Sequence, residues 1–185
     1  MIVVNDLMRP DVLAGVRGIV FDCDGVLVDS LAANKWYYNW YRERFGLPPM
    51  NAEEERYTHI QNVYNSLKRI VPEGRLEEAL ALRDEFDYRL VLPHITPEPG
   101  VFDLLILLRG MGVRMAVNTS RTNTTELLLS HLGMDGFFHP VVATANVTKP
   151  KPHPEGVHQI LDAWGLGTGD VAFIGDSSVD QGTAE

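Results

Sequence analysis

Two carboxylates one residue apart, Asp22 and Asp24, follow the apolar run Ile19-Val20-Phe21 and stand directly before Gly25. One carboxylate that attacks and another that gives and takes back a proton is the chemistry such a pair could do. Ile19 to Phe21 reads as a short parallel strand buried on both faces, which puts Asp22 at the strand's end. In open parallel sheets, ligands bind in the crevice outside the carboxyl ends of the strands. In extended backbone a spacing of two sends Asp22 and Asp24 one way and Cys23 the other, into the core, while Gly25 permits a tight turn. The same residues also suit an ordinary acidic turn, so the pair alone leaves both readings open.

Three further segments carry groups suited to the same chemistry. Ala116-Val117-Asn118 runs into Thr119-Ser120-Arg121, where a hydroxyl and backbone amides at a strand end can hold a phosphoryl oxygen without adding charge. A turn capping the next helix is the alternative. In Thr148-Lys149-Pro150-Lys151-Pro152-His153-Pro154 the alternating prolines hold the backbone extended and present the lysines rigidly. Phe173-Ile174-Gly175-Asp176 through Asp180 ends a strand in hard oxygen donors of the kind Mg²⁺ prefers. The formal net charge is -9, from 25 acidic and 16 basic residues, which argues against a nucleic-acid or anionic-membrane partner. An acidic protein with a carboxylate cluster should repel phosphate, and a divalent cation would resolve that repulsion.

The elements that must position these groups alternate from Gly100 onward. Val101, Leu104, Leu105 and Leu108 predict a helix, Val113 to Val117 a strand, Thr122 to Leu132 a helix, and Val141 to Ala143 a strand. Pro154 opens a further helix with Val157, Ile160, Leu161 and Trp164 on one face and Gly165 past its end, before the strand Val171 to Ile174. Such alternation predicts an α/β fold, a doubly wound parallel sheet with right-handed crossovers. Residues 30–96 lack a clear strand. Tyr37, Trp40, Tyr41 and Phe45 predict one helix there, Ile60, Val63, Tyr64 and Leu67 a second, and Leu76, Leu80, Phe86 and Leu90 a third. The expected organisation is a core of residues 1–29 and 97–185 with a small helical cap, 30–96, inserted after the first core strand and a hinge at Pro97-Glu98-Pro99-Gly100. Lys68, Arg69 and Arg75 could bind a second anionic group there, or simply be solvated surface charges.

Asp22-Cys23-Asp24-Gly25-Val26-Leu27-Val28-Asp29-Ser30 resembles the first motif of the haloacid dehalogenase-like hydrolase superfamily, in its phosphatase branch with a helical cap, the phosphoglycolate phosphatase and beta-phosphoglucomutase-like group. Thr119, Lys149-Pro150-Lys151-Pro152 and Gly175-Asp176 to Asp180 are similar to its second, third and fourth motifs, with Ser120 where an Asn is usual. The resemblance implies that Asp22 attacks phosphorus and Asp24 serves as acid and base. It implies that Thr119 and Ser120 hold the phosphoryl group and that Lys149 neutralises it, with Lys151 the competitor for that role. Mg²⁺ is expected on Asp22, the Asp24 carbonyl and Asp176, with Asp180 behind. The implied activity is Mg²⁺-dependent hydrolysis of small phosphorylated metabolites through an aspartyl phosphate. A sugar phosphomutase would share the four motifs, and a receiver-like phosphoacceptor is the reading from another class.

Cys23 is the only cysteine, so no internal disulfide is possible and a reducing cytoplasm is the expected home. No signal peptide and no run of about 20 apolar residues is present. The resemblance also implies one more strand and helix after Glu185.

Overall fold

The computed structural model describes residues 15–61 and 63–185. Among these, β1 (Gly18–Phe21) leads through a tight loop to β2 (Val28–Asp29). The helices α1 (Leu31–Arg44), α2 (Ala52–Ile60), α3 (Val63–Ile70) and α4 (Leu76–Glu85) follow, and then β3 (Thr96–Pro97), which pairs with β2. The chain continues through α5 (Val101–Gly110), β4 (Arg114–Asn118), α6 (Thr125–His131), β5 (Val141–Val142), α7 (Glu155–Trp164), β6 (Val171–Ile174) and α8 (Ser178–Ala184).

The main sheet is parallel throughout, with the order β5-β4-β1-β6. From β1 the chain steps outward to β4 and β5, then crosses back to β6 on the other side. The order therefore reverses at β1, and the crevice of a doubly wound sheet opens at the carboxyl end of that strand. Each residue of β1 is buried, as expected of a central strand covered on both faces. Val20 is level with Ala116, and both meet Val142, Ile160, Leu161 and Trp164, so α7 covers that face. The alternate residue Phe21 points to the opposite face, where its ring meets Phe138 edge-on at 5.9 Å. Gly18 makes room for this packing: a Cβ there would lie 2.4 Å from the Trp164 ring.

By density of contacts the chain divides into two compact units, one formed by the chain as far as Val28 with Pro97–Glu185, the other by Asp29–Thr96. The helical unit has its own core of Tyr38, Tyr41, Phe45, Met50, Leu67 and Ile70 with smaller neighbours. The acidic run Glu53-Glu54-Glu55 forms the first turn of α2, where Asn51 and Glu54 cap each other's backbone amides.

Three helices differ from their periodicity. The apolar series from Ile60 to Leu67 is split, because Gln61 takes extended backbone between α2 and α3. The series reaching Leu90 stops at Glu85. Phe86 is extended there, and its ring packs on Trp36, Tyr37 and Trp40 at 4.8 to 6.4 Å, an aromatic cluster that outweighs one more helical turn. The helix expected from Thr122 starts at Thr125, leaving Arg121 to Thr124 as a loop at the sheet's edge. Among the described residues no helix is long and apolar enough to cross a membrane.

Candidate active site

Asp22 is the first residue past β1, and its backbone amide still donates to the Ile174 carbonyl of β6 at 2.8 Å. The chain then folds tightly. The amides of Leu27 and Val28 return to the Cys23 carbonyl, and Gly25 takes a left-handed φ of 76°. A side chain on Gly25 would also collide with Asp176, its Cβ falling 2.1 Å from Oδ2. This glycine thus serves both the turn and the close approach of another strand's carboxylate. Cys23 is fully buried, and burial, reinforced by the Asp24 charge, pushes its thiol well above the ordinary range, which leaves it inert at neutral pH.

On the other side of β1, Gly175 precedes Asp176, and Ser177 caps α8. The Ser177 hydroxyl accepts from the Asp180 amide at 3.2 Å and donates to Asp180 Oδ2 at 2.5 Å. That mutual cap turns Asp180 back into the site, where it is 2% exposed. Asp22, Asp176 and Asp180 each offer a carboxylate oxygen, and all three lie within 4.8 Å of one another. Crowding and burial show in the protonation of Asp22 and Asp176. Burial pushes Asp22 up to about 6, with Lys151 pulling it down and Asp180 adding to the rise. Asp176 is raised as well, by burial first and then by Asp180.

Of the two lysines, Lys151 and not the expected Lys149 is the one that meets the carboxylates. Lys151 Nζ donates to Asp22 Oδ1 at 2.6 Å and to Asp180 Oδ1 at 2.5 Å, with its side chain only 4% exposed. Lys149 is exposed, and its backbone amide is tied to Glu155 Oε2 at 3.0 Å. Glu155 also accepts from the Thr148 amide and hydroxyl at 2.7 to 2.9 Å. This anchorage fixes residues 148–149 beside α7 and carries the chain two residues further before a lysine reaches the carboxylates.

Thr119 lies just beyond β4, beside β1, and is 3% exposed, whereas Ser120 is exposed and uses its carbonyl to accept from Thr144. Arg121 is the residue the motifs did not single out. Its Nε and Nη2 donate to Asp24 Oδ2 and Oδ1 at 2.7 and 2.5 Å, and its amide donates to Thr119 Oγ1 at 3.2 Å. The Asp24 side chain accordingly faces Arg121 and lies outside the three-carboxylate cluster. In the helical unit, Arg69 pairs with Glu53 and Arg75 with Glu78, so both cations have carboxylate partners.

The donor set suits a hard divalent cation. Oxygen ligands converge from two strand ends, and two close approaches are open only because glycine stands at 25 and 175. A parallel sheet with a buried carboxylate–lysine pair and an acidic cluster at one end fits the class of phosphoryl-handling α/β hydrolases. A family model described as haloacid dehalogenase-like hydrolase matches residues 19–185, and the chain belongs to that family. It is 29% identical over 182 residues to a phosphoglycolate phosphatase of Chromobacterium violaceum, covering 93% of this chain and 82% of that protein. It is 25% identical over 179 residues to the pyrophosphatase PpaX of Halalkalibacterium halodurans, covering 89% and 77%. A solved HAD-superfamily hydrolase of subfamily IA from Geobacter sulfurreducens superposes with a TM-score of 0.84 at 33% identity, over 92% of this chain and 82% of that one. At this coarse level the chain is an enzyme, a hydrolase of the phosphatase type.

Proposed function

We propose that the chain hydrolyses small phosphate monoesters, with Asp22 as nucleophile and Asp24 as the proton-transfer group. The observation that carries this reading is the meeting of Lys151 with Asp22 and Asp180 beside Asp176, four groups from three segments of the chain in one cluster. A carboxylate oxygen of Asp22 attacks phosphorus, and the leaving oxygen departs with a proton from Asp24. The product is an aspartyl phosphate on Asp22. Asp24 next takes a proton from the water that hydrolyses it, which releases inorganic phosphate and restores both carboxyl groups. Lys151 and the Thr119 hydroxyl stabilise the phosphoryl oxygens as charge moves onto them. Asp22, the Asp24 carbonyl and Asp176 would hold Mg²⁺, with Asp180 behind them; when bound, the ion neutralises the phosphate that this acidic cluster would otherwise repel.

Phosphoglycolate and pyrophosphate, the compounds named for its relatives, head the substrates to try, with sugar phosphates beside them. Phosphate release should require Mg²⁺, and Asp22→Asn should lower kcat by at least about 10³-fold. Equal turnover by the variant would refute the assigned nucleophile. Interconversion of sugar phosphates without phosphate release would instead make the chain a mutase.

A further inference from the structure

Arg121 directly follows the Thr119-Ser120 pair and was given no role by the motifs, yet it reaches the group on which proton transfer depends. It leaves the sheet two residues past Thr119, in the non-helical stretch before Thr125, and crosses to the loop that follows β1. There its guanidinium takes both oxygens of Asp24 in a fork, at 2.7 Å from Nε and 2.5 Å from Nη2. The Arg121 side chain is 13% exposed and that of Asp24 39% exposed, so the arginine is the sheltered, rigid member of the pair. Its own backbone is held in turn by the Thr119 hydroxyl.

We infer that Arg121 is a positioning residue for proton transfer, fixing the plane and reach of the Asp24 carboxylate. The inference rests on the role proposed for Asp24 above. A half-exposed aspartate on a turn can rotate about two torsions and carry its oxygens well away from a leaving group. Proton transfer needs heavy atoms within about 2.6–3.2 Å, so time spent elsewhere is lost to catalysis. A planar fork matches a carboxylate in a way that an ammonium cannot, because it sets orientation as well as charge.

The test compares leaving groups. An alkyl phosphate expels a poor leaving group that needs a proton, whereas p-nitrophenyl phosphate expels one that does not. kcat/KM reports the steps through phosphoryl transfer, before the intermediate is hydrolysed. Wild type, Asp24→Asn, Arg121→Ala and Arg121→Lys are compared on both substrates, with circular dichroism to verify folding. Asp24→Asn should lose about 10²–10⁴-fold on the alkyl ester and far less on the nitrophenyl ester. Arg121→Ala should lose about 10–100-fold on the alkyl ester and less than about threefold on the other, and Arg121→Lys, keeping charge without the fork, should fall between. Parallel losses on both substrates in the Arg121 variants, or none, overturn the inference. If Asp24→Asn itself shows no leaving-group dependence, the proton-donor role fails and this inference with it. A steep Asp24→Asn beside a flat Arg121→Ala overturns the arginine's role alone. Should Arg121→Ala not fold, Arg121→Lys decides by the same ratio.

Discussion

Lys151 and Lys149 each begin a Lys-Pro-x-Pro string, and only one of them reaches the carboxylates. Lys151 is buried between Asp22 and Asp180, while Lys149 faces solvent with its backbone tied to Glu155. Removing Lys151 leaves two crowded carboxylates uncompensated and takes away the charge that would meet the phosphoryl group. Lys151→Ala should therefore lower kcat/KM by about 10²–10³-fold, whereas Lys149→Ala should stay within about twofold of wild type, measured as phosphate release. A larger loss at Lys149 would restore the alternative register. The ambiguity was intrinsic to the string, since each lysine is followed by a proline at the next position and another two residues further on. What separates the two is Glu155, whose clasp of Thr148 and Lys149 has no signature in spacing. Arg121 was equally hidden: an arginine after a Ser is unremarkable until the loop before α6 directs it across the sheet.

At the scale of elements, the strands were the most readable part of the chain. Val171–Ile174 and the run ending at Phe21 are both short, apolar and bounded by turn residues; the latter is buried along its whole length, whereas Val171–Ile174 is only partly covered. The carboxylates that follow them could be placed at the sheet's edge for the same reason. Helix ends were less readable. Phe86 ends its helix against aromatic neighbours distant in sequence, of which periodicity carries no record, and the breaks at Gln61 and before Thr125 fall where the apolar series runs on. The turn from β6 into α8 is governed by close packing: a Cβ on Gly175 would lie 2.3 Å from the Cβ of Asp180. Gly175→Ala should consequently cost about 1–3 kcal/mol, read as a lower urea midpoint at unchanged slope. Activity should fall with it, because Asp180 holds Lys151. Full stability in the alanine variant would contradict the tight cap.

For the molecule as a whole, the acidic cluster couples stability to pH and to divalent cations. Asp22 titrates at about 6 when folded, against 3.8 in an unfolded chain, so between those values the folded state binds more protons. Its contribution to stability is accordingly present at low pH and is lost as pH rises through about 6. The shift corresponds to an upper bound of about 3 kcal/mol. In metal-free buffer, Asp22→Asn should melt higher than wild type above pH 6, with the gap closing toward pH 4. Mg²⁺ should raise the wild-type melting temperature more than that of the variant. Scanning calorimetry across that range would measure both, and a gap independent of pH would sink the argument. The chain divides into an α/β unit and a helical unit, and nothing in the helical unit's composition singles out a substrate. Lys151 bears on one more property. Tethered between Asp22 and Asp180, it acts as a built-in counter-ion, so the chain brings its own neutralising charge to the acidic crevice as it collapses. The crevice is thereby partly neutralised from within the chain, by a cation that is part of the fold itself.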